Sequence, residues 1–588
     1  MPTGKTITEE LIDEVRSLMT ERIKQGWDTY WRSCMRYALP TDASFDVLLN
    51  RGSLSSVTAS ISHTTAYRET KTLYDQTSLW AIERLTAGLV SLKTPESTNW
   101  HGLNVDDPFG NDASISEESW FDRVSRYLFK VRGNPMSGFW PTHKAAVRST
   151  CAMGDGFFFI EEKLGNARVP YTYEFVPLGE CYQTVDLKSQ TQRFYRVRGM
   201  TAEQAAKRWG KKLSKRILDM ANDPLTRQNT VTIVHAVVPR ADAARAGVFG
   251  VMGAKWASYY IDMDDSLMIE QSGFWEMPYI QHSWGVKTPS RSYSEGPLAL
   301  ALAEIKSLNE MSKNELISSQ QAVRPPLATY GDNFTRINLN AGKINKGLVS
   351  GDGKMLVQPI MTHTRPDFAQ AVLETRRNNV REMLYLNLWQ ILIDQPQQTA
   401  TQALLRAQEK GDLLGPVGIS FNHSLASMVD REMAILGRKG AFEQGAPLEA
   451  PEELADADVA PIFTAPLDRM RNMEEVLGAQ RTVAGMMEVA AFNPKIMDKL
   501  NTDEYAEMLR KGNGAPADLF YDDDQMAANS ASEDEMAQLR QQLELAQQGG
   551  DAATAMGSGM RAMQDAGVPM PGVVNRGPSD AVTAALAA

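Results

Sequence analysis

Residues 295–347 read EGPLALALAEIKSLNEMSKNELISSQQAVRPPLATYGDNFTRINLNAGKINKG, and the fold turns on them. Pro297 suits a first helical position, and Pro325–Pro326 cannot continue a helix. Between them Leu298, Ala301, Ile305, Leu308, Leu316, Ser319 and Val323 lie near one helical face. Glu304, Lys306, Asn309, Glu310, Lys313 and Asn314 fall mostly elsewhere. The spacing predicts one helix over 297–323, about 40 Å long at 1.5 Å per residue. A second long helix is expected over 366–392, polar in its first half and apolar in its second. The stretch between them has little helical character and many Gly and Asn residues. Two long helices with a strand-and-turn excursion between their tips make a poor monomer core. The leftover apolar surface is expected to pack against other subunits.

Upstream, residues 7–24 (ITEELIDEVRSLMTERIK) read as a helix with acidic residues early, and Trp27, Tyr30, Trp31 and Tyr37 follow. Further helices are expected in LYDQTSLWAIERLTAGLVSLKTP and SEESWFDRVSRYLFKVR. Their aromatic and aliphatic residues read as core. Between about 155 and 290 the period shifts toward two, in runs such as GFFFIEE, RFYRVRGM and TVTIVHAVVP. Two helical pieces interrupt these runs around 202–220. The fold class is therefore α+β, with an antiparallel or mixed sheet.

Downstream, DQPQQTAT (394–401) reads as an exposed polar loop. Helices are expected over 401–410 and about 425–436, with GAPLEAPEELADADVAPIFTAPLDR as a connecting segment. More helices follow to about 515. Beyond Asp522 one short charged helix leads into a low-complexity tail.

Bulk composition narrows the function. The 588 residues carry a net charge of −11, which argues against a protein that coats nucleic acid. The three cysteines follow no ligand or disulfide spacing, consistent with a reducing compartment. No signal run opens the sequence and no stretch approaches 18 apolar residues, so a soluble chain without membrane association is expected. The seven histidines are scattered, and SGDGKM at 350–355 lacks the residues of a phosphate loop. Asp262, Asp264 and Asp265 suggest a metal-dependent nuclease, but a solvated hairpin turn explains them better. No cofactor is expected.

Several segments together resemble the portal, or head-to-tail connector, proteins of short-tailed, podovirus-type phages. They are WDTYWRSCMRYALP, LTAGLVSLKTPESTNWHGL, KAAVRSTCAMGDGFFFIEE, the helix quoted first, and MLYLNLWQILIDQPQQTATQALLRAQEKGDLLGPV. The last is similar to the family's M-T-A-T-E-V helix start, with Gln402 where an acidic residue is common. The resemblance spans roughly residues 5–520.

It implies a ring of twelve copies around a channel for double-stranded DNA. Residues 297–323 and 366–392 would be the stem helices, and 324–365 the clip. Residues 1–296 with 393–460 would form the wing and a channel loop, and 461–525 the crown, ahead of a tail over 526–588. The clip would face the terminase large subunit during packaging and the tail adaptor afterwards. Major capsid and scaffold or internal core proteins would surround the ring. The place of action would be the virion's portal vertex, after assembly in the host cytoplasm. No catalysis is implied, because ATP hydrolysis belongs to the terminase. An acidic ring suits a conduit, since tight phosphate contacts would stall a moving duplex. Candidate DNA-proximal residues are Arg376, Arg377, Arg381, Gln397 and Gln398, and candidate clip residues are Lys343, Lys346 and Lys354. The alternative reading is another phage scaffold or adaptor without a DNA channel.

Overall fold

The computed structural model describes residues 6–40, 72–105, 115–163, 169–188, 190–240, 250–285, 287–288, 290–329, 337–338, 343–360, 366–386, 400–451, 454, 459–490 and 492–513. The chain begins with α1 (Ile7–Lys24), α2 (Trp27–Ala38), α3 (Thr77–Lys93), β1 (His101–Val105), α4 (Ile115–Gly133) and α5 (Phe139–Met153). Then come β2 (Asp155–Glu162), β3 (Tyr171–Val176), β4 (Cys181–Val185), β5 (Thr191–Thr201), α6 (Ala202–Trp209) and α7 (Lys215–Asn222). β6 (Thr230–Pro239), β7 (Trp256–Asp262), β8 (Leu267–Phe274) and β9 (Tyr279–Ser283) precede the long helix α8 (Pro297–Val323). β10 (Leu327–Thr329), β11 (Val357–Pro359), α9 (Pro366–Met383), α10 (Ala400–Arg438), β12 (Val459–Phe463), α11 (Pro466–Ala490) and α12 (Thr502–Asn513) complete it.

The α+β expectation holds, and both larger sheets are antiparallel throughout. Strand β2 is central to a three-stranded sheet, in the order β3-β2-β9. It reads as an unbroken apolar run because both its faces are covered. Phe157 and Phe159 enter one core with α2, α3 and the start of α8, while Phe158 and Ile160 enter a second with α4 and the end of α10. The five-stranded meander β4-β5-β6-β7-β8 is also covered twice. Leu11, Ile12 and Val15 of α1 pack on Val234 and Ala236, and α6–α7 pack on Val231 and Ile233. Those alternating positions of β6 point to opposite faces, as the pleat requires. A capping box between Thr6 and Glu9 starts α1.

Two elements differ from the sequence reading. The expected helices at 401–410 and 425–436 are one continuous helix, α10, running through Gly411, Gly415 and Pro416. The supposed connector at 445–469 contains β12, which pairs with β1 from His101↔Phe463 to Val105↔Val459. Its Pro and Ala residues hide a strand that forms only against a partner more than 350 positions away.

The turn from α5 into β2 carries the start of α8. Gly154 has φ +104°, and a Cβ there would lie 2.1 Å from the Ser294 carbonyl oxygen. Asp155, fully buried, accepts hydrogen bonds from the Ser294 backbone N–H (2.7 Å), Ser283 Oγ (2.8 Å) and Gln281 Nε2 (2.9 Å). Gly154→Ala is expected to lower stability by about 1–3 kcal/mol through overpacking, plus about 1 kcal/mol for the left-handed backbone. Thermal unfolding of the variant measures this.

Buried polar groups stitch the second core. Arg132 donates from Nη2 to Glu432 Oε2 (2.5 Å) and from Nε to Oε1 (3.3 Å), and both side chains are fully buried. Tyr173 OH also donates to Glu432. Burial works against the Arg132 charge, but Glu432 more than offsets it and holds Arg132 above its ordinary pKa. Arg132 only donates, so His101 Nε2 (2.5 Å away) accepts and its proton sits on Nδ1.

A second chain of bonds has one consistent direction. Ser424 Oγ donates to the Phe421 carbonyl, so it accepts from His282 Nδ1 at 2.6 Å. His282 Nε2 then accepts from His143 Nδ1 (3.2 Å), and His143 Nε2 accepts from Thr94 Oγ1 (2.8 Å). Two neutral imidazoles thus tie the end of α3, α5, β9 and α10 together. All the described residues belong to one compact unit, Met1–Ala517.

Candidate functional site

α8 has the bounds that its flanking prolines predict. α9 packs along it, and Arg376 Nη1 donates to Glu304 Oε2 across the pair at 2.9 Å. Asp75, just before α3, clamps both helices. Its Oδ2 accepts from Arg377 Nε (2.9 Å) on α9 and Ser312 Oγ (3.4 Å) on α8. Burial would raise the Asp75 pKa, but Thr77 and Arg377 outweigh it and hold the carboxyl below its ordinary value. Asn309 completes the clamp by accepting from the Tyr74 N–H (2.7 Å) and donating to the Thr72 carbonyl (3.1 Å).

The hairpin changes character beyond this clamp. On α8, Leu298, Ala301, Ile305, Leu308 and Ser312 are buried. The same face continues through Leu316, Ser319 and Val323, which are exposed. From Lys313 to Gln370 none of the residues whose burial is described is buried. Val323 is 81% exposed. Half of an apolar stripe is core, and the other half is bare.

At the far end β10 pairs with β11 antiparallel, Leu327 opposite Pro359. Inside them a smaller hairpin turns at Ser350–Lys354, with Val349 opposite Met355. Lys343, Lys346 and Lys354 are all exposed here. Residues 324–365 hold six Lys and Arg but only two Asp and no Glu, whereas the whole chain is −11.

The three candidate arginines lie together on α9, and each is already paired within the chain. Arg376 meets Glu304, Arg377 meets Asp75, and Arg381 Nη1 donates to Glu374 Oε1 (2.8 Å) and Asn378 Oδ1 (2.7 Å). Gln397 and Gln398 lie outside the described residues. α9 was expected to reach Leu392 but ends at Met383. Tyr385 takes the left-handed conformation (φ +59°) there. Its N–H bonds the Glu382 carbonyl and that of Leu386 bonds Arg381, which is the Schellman pattern with tyrosine at the position that glycine usually takes.

Asp262, Asp264 and Asp265 do cluster, but around a guanidinium. Arg216 reaches Asp265 at 2.9 Å, Asp264 at 3.2 Å and Asp262 at 3.3 Å, and Ser214 Oγ donates to Asp262 at 3.1 Å. They sit in and beside the turn between β7 and β8, as expected, though Asp262 is buried rather than solvated. The ion pairs with α7 give these carboxylates a structural task. Sequence reasoning missed Arg216, Asp75 and Glu304, because each finds its partner through the fold rather than through spacing.

The α+β body thus bears a long helical hairpin that is exposed along its outer half and ends in a tip with exposed lysines. The chain belongs to the bacteriophage head to tail connecting protein family, whose profile matches residues 9–520. It is similar to the probable portal protein of Bordetella phage BPP-1, 22% identical over 560 residues that cover 93% of this chain and 95% of that one. It is also similar to the portal protein of Salmonella phage epsilon15, 21% identical over 561 residues that cover 94% of this chain and 96% of that one. Family and relatives together assign this chain a phage portal role.

Proposed function

We infer that copies of this chain, twelve in the virion, close into a ring around a channel through which double-stranded DNA is packaged and later ejected. The observation that carries this is the half-buried stripe of α8. Leu316, Ser319 and Val323 extend a core face beyond the point where the described residues cover it, and a neighbouring copy supplies the cover. In this reading α8 and α9 are the stem and residues 324–365 the clip. Residues 1–296 and 393–460 make the wing with its channel loop, and 461–525 the crown. The clip meets the terminase large subunit and then the tail adaptor, and the wing meets capsid and scaffold or core proteins. The role is structural and not enzymatic. Assembly takes place in the host cytoplasm.

Arg376, Arg377 and Arg381 would face the duplex as partly neutralised groups. Their carboxylate partners weaken any grip on phosphate, which suits a passage that must not hold its cargo.

Native mass spectrometry with electron-microscopy class averages tests the ring. Closed rings near twelve copies with an open centre are expected. Leu316→Asp with Val323→Asp is expected to abolish rings while leaving circular dichroism unchanged. A stable closed dimer or tetramer of the unmodified chain, or rings from the double variant, would overturn the reading.

A further inference from the structure

Strand β5 carries Arg196 and Arg198 at alternate positions, so both project from the same face of the meander sheet. Arg196 is buried. Its Nε donates to Glu180 Oε2 (2.8 Å) and its Nη2 to Glu174 Oε1 (2.9 Å) on β3. Arg198 Nη1 donates to the same Glu174 oxygen at 2.7 Å. Arg208, near the end of α6, donates from Nη2 to Tyr260 OH (3.2 Å) and reaches Glu161 only at 3.5 Å. The three guanidiniums line one cleft between the two sheets, which Tyr260 and Trp209 wall on the α6 side. Burial would raise the Glu174 pKa, but Arg196 and Arg198 outweigh it, Arg208 adds to them, and the carboxyl is held below its ordinary value. His235, stacked on Tyr260 at 4.1 Å, is kept neutral first by burial and then by Arg196 and Arg208.

Glu174 does not use up these donors. Among the described residues no acceptor meets Arg196 Nη1, Arg198 Nε and Nη2, or Arg208 Nε and Nη1. We propose that the cleft binds a phosphate dianion, free or as the terminal group of a monoester, between Arg198 and Arg208 at the mouth and Arg196 inside. Charge selects an anion, because three cations and one carboxylate line the space while Glu180 and Glu161 touch it only through their arginines. Shape selects its geometry. A planar carboxylate serves one or two guanidiniums, as Glu174 already does, whereas three on different sides suit an ion whose oxygens point several ways. Size excludes more. The space is about 360 Å³ with its open mouth included, and only a small part of it is wide enough to admit a water molecule. A compact ion enters; a nucleoside, or a duplex phosphate flanked by two sugars, does not. The bound ion would pin α6 to β5 and stabilise the body without reference to the ring.

The test is calorimetric titration of the full chain with inorganic phosphate at fixed ionic strength, balanced with sodium chloride. Saturable binding and a raised unfolding midpoint are expected. Arg198→Ala with Arg208→Ala is expected to weaken binding by at least about tenfold. These side chains are 37% and 40% exposed, so the fold should survive, which circular dichroism checks. Arg193→Ala, on the opposite face of β5 and paired with Glu14, should bind phosphate as the parent does. Glycerol 3-phosphate separates the two sources: if it binds alongside inorganic phosphate the site takes monoesters, and if it does not the site takes the free ion. Three outcomes would overturn the proposal: phosphate acts no differently from chloride, the double variant binds it as the parent does, or Arg193→Ala weakens it equally.

Discussion

Glu432→Ala is expected to cost about 3–5 kcal/mol, because it leaves the Arg132 guanidinium charged, buried and without its counterion. The neighbours cannot replace the carboxylate. His101 can offer only Nε2 and must keep its proton on Nδ1, and the rings of Trp100 and Phe139, 4.8 and 5.8 Å from the guanidinium carbon, carry no charge. Water has no access to a side chain that is 0% exposed. Tyr173 OH would lose its acceptor at the same time. Chemical denaturation of the unassembled chain reads the loss. Arg132→Met combined with Glu432→Leu should recover most of it, since an apolar pair of similar volume avoids the desolvation cost. If the double variant is no better than the single one, packing rather than charge sets the effect.

Acidification is the second large effect. His101, His143, His235 and His282 are all buried, and burial is the leading cause that lowers each below its ordinary pKa; His143 falls to about 3. Arg132 adds to the depression at His101 and His143, Arg196 and Arg208 at His235, and His143 at His282. Below about pH 6.5 the unfolded chain binds protons at these sites and the folded chain does not, so stability falls as pH falls. The buried carboxyls of Asp155 and Glu432, raised by burial, work in the opposite direction because they take up protons more readily when folded. Each histidine site that stays unprotonated in the folded chain contributes at most about 1.4 kcal/mol per pH unit. From pH 7 to pH 5 the chain should lose stability, with the four histidines outnumbering the two carboxyls. Melting curves at pH 7 and pH 5 check this, and equal midpoints would exclude it.

Much of the architecture could be read from local chemistry. Prolines bracket α8, the Thr6–Glu9 box opens α1, and runs such as GFFFIEE announce strands buried on both sides. What escaped depends on contacts distant in sequence. β12 looks like a linker until His101–Val105 lies beside it. The end of α9 escaped because tyrosine, not glycine or proline, takes the left-handed position. The three arginines could be singled out by sequence, but not their partners: Asp75 lies 302 residues from Arg377, and Glu304 lies 72 from Arg376. The tip's lysines were visible at once, because exposure needs no partner to be recognised.

The pairing of His101–Val105 with Val459–Phe463 also sets a timetable for the nascent chain. Trp100, Phe121, Phe158 and Ile160 share their core with Leu425, Met428, Ile435 and Leu436, which are made some 260 residues or more later. At roughly 5–20 residues per second, a ribosome leaves that face uncovered for about 13 s to a minute. During that interval the amino-terminal half depends on chaperones or on its own meander sheet to stay out of aggregates. A cell that translates this message quickly should therefore yield more folded chain than one that stalls within it.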